Sequence, residues 1–311
     1  MEYLLFLQNI RESCPEILNW IFVGISEAIV YLGAIVSIIV YFCVDKRAGA
    51  FMGFNIIGGD FAGNALKMTA CVYRPWIKYP NIYPAAEVAE SATGYSFPSA
   101  HTAAAVTTYG SIAMLLKKKK GVIVTCAILT LLTAFARNYL GCHTLEDVLV
   151  AMLEMAVVLT VNVFAQRWLD ADEKRDVIIF VGGIVISVAA LLFFIFKSYP
   201  MDYMPDGSLI VDPVTLTADG YGSLGMFFAW IIGWFVERRF VNFETEGTKK
   251  EKIIRALIVV AVFGLCYKVL FKYPFIGFDP RVYSFLRRFL SVIVVIGILP
   301  FFLKKMQMKK K

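Results

Sequence analysis

Apolar runs of about 20 residues, enough to cross roughly 30 Å of hydrocarbon, recur along the whole of this 311-residue chain rather than once at its start. Their cores lie near 22–43, 49–66, 99–116, 121–137, 145–166, 177–196, 222–237, 253–271 and 288–303. Lipid offers a backbone no water to bond, so each run has to satisfy its own N–H and C=O groups as a helix. The composition agrees, with 59% hydrophobic and 18% charged residues and a mean hydropathy of +0.68, outside the range of soluble globular proteins. The expected fold is an all-α integral membrane protein of about nine spans.

The first 20 residues, "MEYLLFLQNIRESCPEILNW", mix apolar positions with Glu2, Arg11, Glu12 and Glu16. They have neither the basic start nor the small-residue cleavage site of a signal peptide, so an interfacial amphipathic helix is expected there. A net charge of +7 raises nucleic acid as a partner, but the basic residues fall between spans and form no stripe interleaved with aromatics. Membrane topology accounts for them. "DKR", "KKKK", "RWLDADEKR", "ERRFVNFETEGTKKEKIIR" and the tail "KKMQMKKK" fall on one side of alternating spans, which thereby holds nearly twice as many Lys and Arg as the other. The positive-inside rule makes that side the cytoplasm of a cell with this chain in its plasma membrane, and puts the N-terminus and the loops 67–98, 138–144 and 197–221 outside. Tyr73, Tyr79, Tyr95 and Tyr139 then read as interfacial aromatics. The six cysteines form no C-x-x-C pair and no metal-like Cys/His cluster.

Three segments at the outer surface carry chemistry. In "KMTACVYRP", Lys67 and Arg74 are seven apart, which puts them on one face of a continuing helix, and Pro75 marks a boundary. In "ATGYSFPSAHTAAA", Pro98 stands where a first helical residue would. The amides of Ser99 and Ala100 and the Ser99 hydroxyl then make an anion site at a positive helix end, with His101 in the first turn. In "ARNYLGCHTLEDV", His143 and Asp147 are at i and i+4, so the carboxylate can accept the imidazole Nδ1–H and leave Nε2 as base or nucleophile. Arg137 reaches the same spot from the preceding span.

Each segment alone has a structural reading: snorkelling cations, a histidine at a helix start, a His–Asp pair closing a loop. Together, three cations, a helix N-terminus and both histidines of the chain suit a phosphate ester, which needs charge neutralisation, oxyanion hydrogen bonds, a nucleophile and an acid. Of the acidic residues within spans, Asp60 and Glu154 are the better candidates for pairing with these cations, and Glu27 reads as structural or supporting.

Lys67-x6-Arg74-Pro75, Pro98-Ser99-Ala100-His101 and Arg137-x5-His143-x3-Asp147 resemble, in order and at the expected helix ends, the three signature motifs of the type-2 phosphatidic acid phosphatase superfamily. The resemblance covers roughly residues 20–196. It departs at Ala100, where the family usually has glycine, and at Ala136, where it usually has serine. It implies a six-helix phosphatase core over 21–196, preceded by the helix in 1–20 and followed in 197–311 by about three added spans of unknown role. It also implies His143 as a nucleophile that becomes phosphohistidine, His101 as the acid for the leaving group and Asp147 as the orienter of His143. Lys67, Arg74, Ser99, Ala100 and Arg137 become the phosphate binders, with no metal or other cofactor.

The implied substrate is a lipid phosphate or diphosphate whose chains stay in the bilayer, and the sequence does not choose among polyprenyl diphosphate, phosphatidate, phosphatidylglycerol phosphate and a sphingoid phosphate. Expected partners are that lipid and the bilayer, not nucleic acid, with a second copy of the chain as the remaining candidate. A phosphate-binding lipid transporter and a lipid phosphotransferase are the competing readings. Inverted repeats would mark the first, and transfer to an acceptor other than water the second.

Overall fold

A computed structural model describes residues 1–89, 92–271, 275 and 277–308, so the last three lysines of the basic tail lie outside the described residues. In chain order the helices are α1 (Glu2–Ser13), α2 (Ile17–Cys43), α3 (Lys46–Ala70), α4 (Pro75–Lys78), α5 (Ala86–Ala89), α6 (Ala100–Leu115), α7 (Lys120–Tyr139), α8 (Leu145–Asp170), α9 (Arg175–Phe196), α10 (Pro213–Val236), α11 (Lys249–Leu265), α12 (Pro280–Val292) and α13 (Leu299–Met308). Wider π turns at Glu237–Val241, Cys266–Leu270 and Ile293–Ile298 continue α10, α11 and α12. Among the described residues no strand forms, and a single antiparallel bridge joins Tyr203 to Leu209.

A helix covers each expected span. Six segments, α2, α7, α8, α9, Lys249–Leu270 and Pro280–Gln307, are long and apolar enough to cross a bilayer, and only 17% to 44% of their most apolar windows is buried within the protein. Apolar surface left open on that scale needs lipid around it, and the chain is a multi-pass, all-α membrane protein. The helices α3 and α6 are less suited by composition and length: α3 carries Lys46, Arg47, Asp60 and Lys67, and α6 has 16 residues.

The chain forms two compact units, each drawn from three stretches. The first comprises Met1–Ala34, Ala62–Val161 and Ser198–Thr217. Here α6 is built of small residues, and they let neighbouring backbones approach, the way membrane helices associate without a hydrophobic drive. A Cβ on Gly110 would lie 2.6 Å from Leu159 Cδ1, so any larger residue there would have to push that side chain of α8 aside. The Thr107 and Ser111 hydroxyls donate one turn back to the carbonyls of Ala103 and Thr107, at 2.9 and 2.6 Å, which keeps polar groups satisfied in an apolar surrounding.

The N-terminal segment does more than lie at an interface. Leu4, Gln8 and Arg11 of α1 turn inward. Arg11 donates to the carbonyls of Tyr83 at 2.7 Å and Tyr139 at 3.1 Å, while Gln8 donates to Asn81 O and accepts from the Tyr83 amide. Two of the tyrosines read as interfacial are interior instead. Tyr139 packs with Ala85, Val88, Leu140 and Cys142 and against the Phe22 ring, because the Ala85 amide ties the 80s loop to Leu140 O at 2.9 Å and covers it. Tyr95 is buried as well, where its loop folds onto Lys67.

The second unit comprises Ile35–Phe61, Asn162–Lys197 and Ala218–Lys311. Its core joins Tyr41, Phe42, Trp230, Trp234, Phe243, Val259, Val295 and Ile296. A carboxylate buried there has to be paired: Glu237 accepts from Tyr41 Oη at 2.6 Å, Lys46 Nζ at 2.7 Å and the Phe243 amide at 3.1 Å. Asp176 is held in the same manner by Arg238 and Arg239. Several of the cations that set topology in the sequence thus also brace helix ends.

Candidate active site

All the residues singled out from the three motifs lie in the first unit, at helix ends. Two of those ends differ from expectation. The helix carrying Lys67 stops at Ala70, and Cys71 takes φ +50, so Arg74 is the N-cap of α4 rather than a residue two turns further along the same face. Lys67 and Arg74 converge because the chain bends, not because a helix continues. Pro98 is not the first helical residue either. It follows Phe97 through a cis peptide and precedes the N-cap Ser99, which leaves Ala100 and His101 as the first two residues of α6. Serine at this position wins because its hydroxyl bonds the third amide of the helix, here Thr102 N at 3.4 Å.

The Ser99 amide is also not open to an anion, since it donates to Asp147 O at 3.0 Å. The amides of Ala100 and His101, at the first two positions of α6, have no intrahelical acceptor and are the donors this turn presents.

His143 is fully enclosed and fixed from both ring nitrogens. Nδ1 is 3.2 Å from Asp147 Oδ2, and Nε2 is 2.9 Å from Arg74 Nη1. A guanidinium can only donate and an ionised carboxylate only accept, so the proton sits on Nδ1 and Nε2 holds a lone pair. Asp147 Oδ2 also accepts from the Ser96 hydroxyl at 2.6 Å and the Thr144 amide at 2.9 Å. The peptide of His143 is tied in turn, its N–H to Arg137 O and its carbonyl to Asn138 Nδ2.

Around this imidazole the cations are anchored by backbone carbonyls. Arg74 donates to Thr93, Gly94 and Cys142, and Lys67 donates to Tyr95 and Ser96. Burial, and after it the charges of Arg74, Lys67 and Arg137, push the His143 pKa well below 6.5, so the ring is neutral near pH 7.

His101 and Arg137 meet over a different carboxylate. Glu27 Oε1, from α2, lies 3.1 Å from His101 Nε2 and 3.4 Å from Arg137 Nη1, and the same Nη1 is 3.2 Å from Ser26 Oγ. Arg137 is almost completely buried and its Nε has no protein partner among the described residues, a donor left pointing into the interior.

Glu27 and Ser96 were the residues not singled out by motif. The one signal for Glu27 was an acid inside an otherwise apolar span, a feature that points to function by default; Ser96 carried none beyond its place in the same loop. Of the two acids favoured instead, Glu154 stands within electrostatic reach of Lys67, while Asp60 belongs to the second unit and is felt by Arg288.

A neutral imidazole with an oriented lone pair, a second imidazole, three fixed cations and an open helix start can hold a tetrahedral oxyanion and attack it. Residues 48–170 match the family model described as PAP2 superfamily, and residues 221–311 match that described as PAP2 superfamily phosphatase, transmembrane extension. No curated protein and no solved structure matches the chain.

Proposed function

Because the chain belongs to the PAP2 superfamily, a family of phosphatases, and spans a membrane, we propose that it hydrolyses a lipid phosphate through a phosphohistidine. The observation that carries this reading is His143 held between Asp147 at Nδ1 and Arg74 at Nε2. The Arg74 N–H holds the nucleophile's lone pair; an arriving phosphate oxygen takes that N–H and frees Nε2. The nitrogen then attacks phosphorus in line, and the P–O bond to the lipid breaks as the N–P bond forms. His101 gives the departing oxygen its proton. Water, deprotonated by His101, attacks the phosphohistidine and releases inorganic phosphate, which restores both rings.

Lys67, Arg74, Arg137 and the amides at Ser99, Ala100 and His101 are the groups assigned to the phosphoryl oxygens, with the Ser99 amide least available because it serves Asp147 O. We take α3, α6 and α10 as further crossings, nine in all, with the reaction at the outer face of the plasma membrane, level with lipid head-groups. Residues 21–196 then form the phosphatase core and 197–311 an added region.

The test is phosphate release by purified protein in micelles from a panel of lipid mono- and diphosphates, with excess chelator. Turnover that survives chelation and disappears in His143→Ala, together with phosphate found on His143 by mass spectrometry after an alkaline quench, is the expected result. Turnover unchanged in His143→Ala would overturn it.

A further inference from the structure

We propose that Glu27 guards the leaving-group side of the site against a second phosphate, so that the substrate is a lipid phosphomonoester rather than a lipid diphosphate; the inference rests on His101 being the acid of the reaction above. Glu27 lies outside the stretch matched by the superfamily, on α2, and its carboxylate touches the one nitrogen, His101 Nε2, whose contact is seen. It also spans to Arg137, the cation with a buried donor to spare. An ionisable group on a membrane-spanning helix is costly to keep without a purpose.

The two substrate classes differ in what leaves across His101. From a phosphomonoester the departing oxygen belongs to an alcohol. Its electron pair takes the His101 proton, the product is neutral, and the neighbouring carboxylate meets no charge. From a diphosphate the departing oxygen belongs to a phosphate monoester that brings further anionic oxygens against Glu27. The local charge agrees in direction: Lys67, Arg74 and Arg137 set against Asp147 and Glu27 leave a surplus of one, which falls further short of a diphosphate trianion than of a phosphomonoester dianion.

Farnesyl phosphate and farnesyl diphosphate, matched in chain, separate the cases when initial phosphate release by the full-length protein is measured on each. The wild type is expected to favour the monophosphate in kcat/KM by about tenfold or more, the scale of one like charge at close range. Glu27→Gln keeps the shape and an acceptor for Arg137 while removing the charge, and should lower that preference about tenfold by faster diphosphate turnover. Glu27→Asp, which keeps the charge, should retain the preference. A wild type that prefers the diphosphate overturns the inference, as does a Glu27→Gln in which both rates fall together, the mark of a residue that only positions His101. Both results leave the hydrolase reading standing; a wild type that releases phosphate from neither lipid, nor from any in the wider panel, removes that reading instead. If Glu27→Gln does not elute as folded protein, the wild-type preference and Glu27→Asp decide.

Discussion

At His143 the two ring nitrogens, the amide and the carbonyl are all spoken for, and each bond removes a freedom that the proposed nucleophile could lose rate to. The bond that matters most is the one to Asp147, because it fixes which nitrogen carries the proton. Asp147→Asn keeps the shape but can offer an N–H to Nδ1 and favour the wrong tautomer, so kcat should fall by roughly 10²-fold or more with KM little changed. Ser96→Ala removes a 2.6 Å donor from the buried carboxylate. Leaving that acceptor short should cost about 1–3 kcal/mol, read as a smaller fall in kcat and a modestly lower melting temperature.

Acid sensitivity follows from the same enclosure. The His143 pKa is lowered by burial first and by Arg74, Lys67 and Arg137 next, so the acid limb of kcat/KM, corrected for the substrate's own ionisation, should fall below pH 6.5. In Lys67→Gln, which removes one of those charges, the limb should move up toward 6.5. Between the two His143 pKa values the unfolded chain binds more protons than the folded one, so this residue's contribution to stability declines as the pH falls from 6.5. At this scale the motif residues were readable because the chain has just two histidines and both stand beside Arg, Ser and Asp. Ser96 and Glu27 were not, since their partners Asp147 and Arg137 lie 51 and 110 residues away and no local pattern records such a pairing.

Among the elements, the turn between α7 and α8, which carries His143, the proposed nucleophile, leaves little room for a side chain. Gly141 sits at φ +73, where a Cβ would come within 3.0 Å of Tyr83 O, 3.1 Å of Arg11 Nη1 and 3.2 Å of Pro84 Cα. Glycine therefore meets two demands at once, a left-handed backbone and the approach of α1 and the 80s loop. Gly141→Ala should cost at least the ~1–2 kcal/mol of a left-handed alanine. It should also push Arg11 off Tyr139 O, lowering both the melting temperature in micelles and kcat. A melting curve unchanged by this substitution would show that the turn is not under the constraint described.

Element existence was legible from apolar run length, but the ends that build the site were less so. Cysteine gives no sign of a left-handed residue, so the stop after Ala70 was hidden at Cys71. Pro98 pointed to a helix start two residues early, because Ser99 is the better cap. The inward turn of α1 was obscured by Gln8 and Arg11, which read as solvent-facing until the carbonyls they serve are known.

For the molecule as a whole, hydropathy was enough to read a membrane protein, because most of the apolar surface of the six long helices faces outward and leaves its periodicity weak and its mean high. Its division into two units was not readable, since each unit gathers stretches far apart in sequence. Orientation rests on the charge count alone, and it determines whether substrate comes from the outer leaflet. Asp206 and Lys118 are both exposed, and the alternation of spans puts them on opposite sides of the membrane. In a cysteine-free background, intact cells treated with a membrane-impermeant maleimide should label Asp206→Cys and leave Lys118→Cys unlabelled until the membrane is opened. The six native cysteines must go first, because Cys14 and Cys71 are partly exposed and would report as well. The reverse labelling would turn His143 toward the cytoplasm and make the substrate an inner-leaflet lipid. Labelling of both positions from outside would instead require an odd number of crossings to be removed from the stretch between them. Candidates would be among α7, α8 and α9, whose lengths and apolarity make each a full crossing by itself.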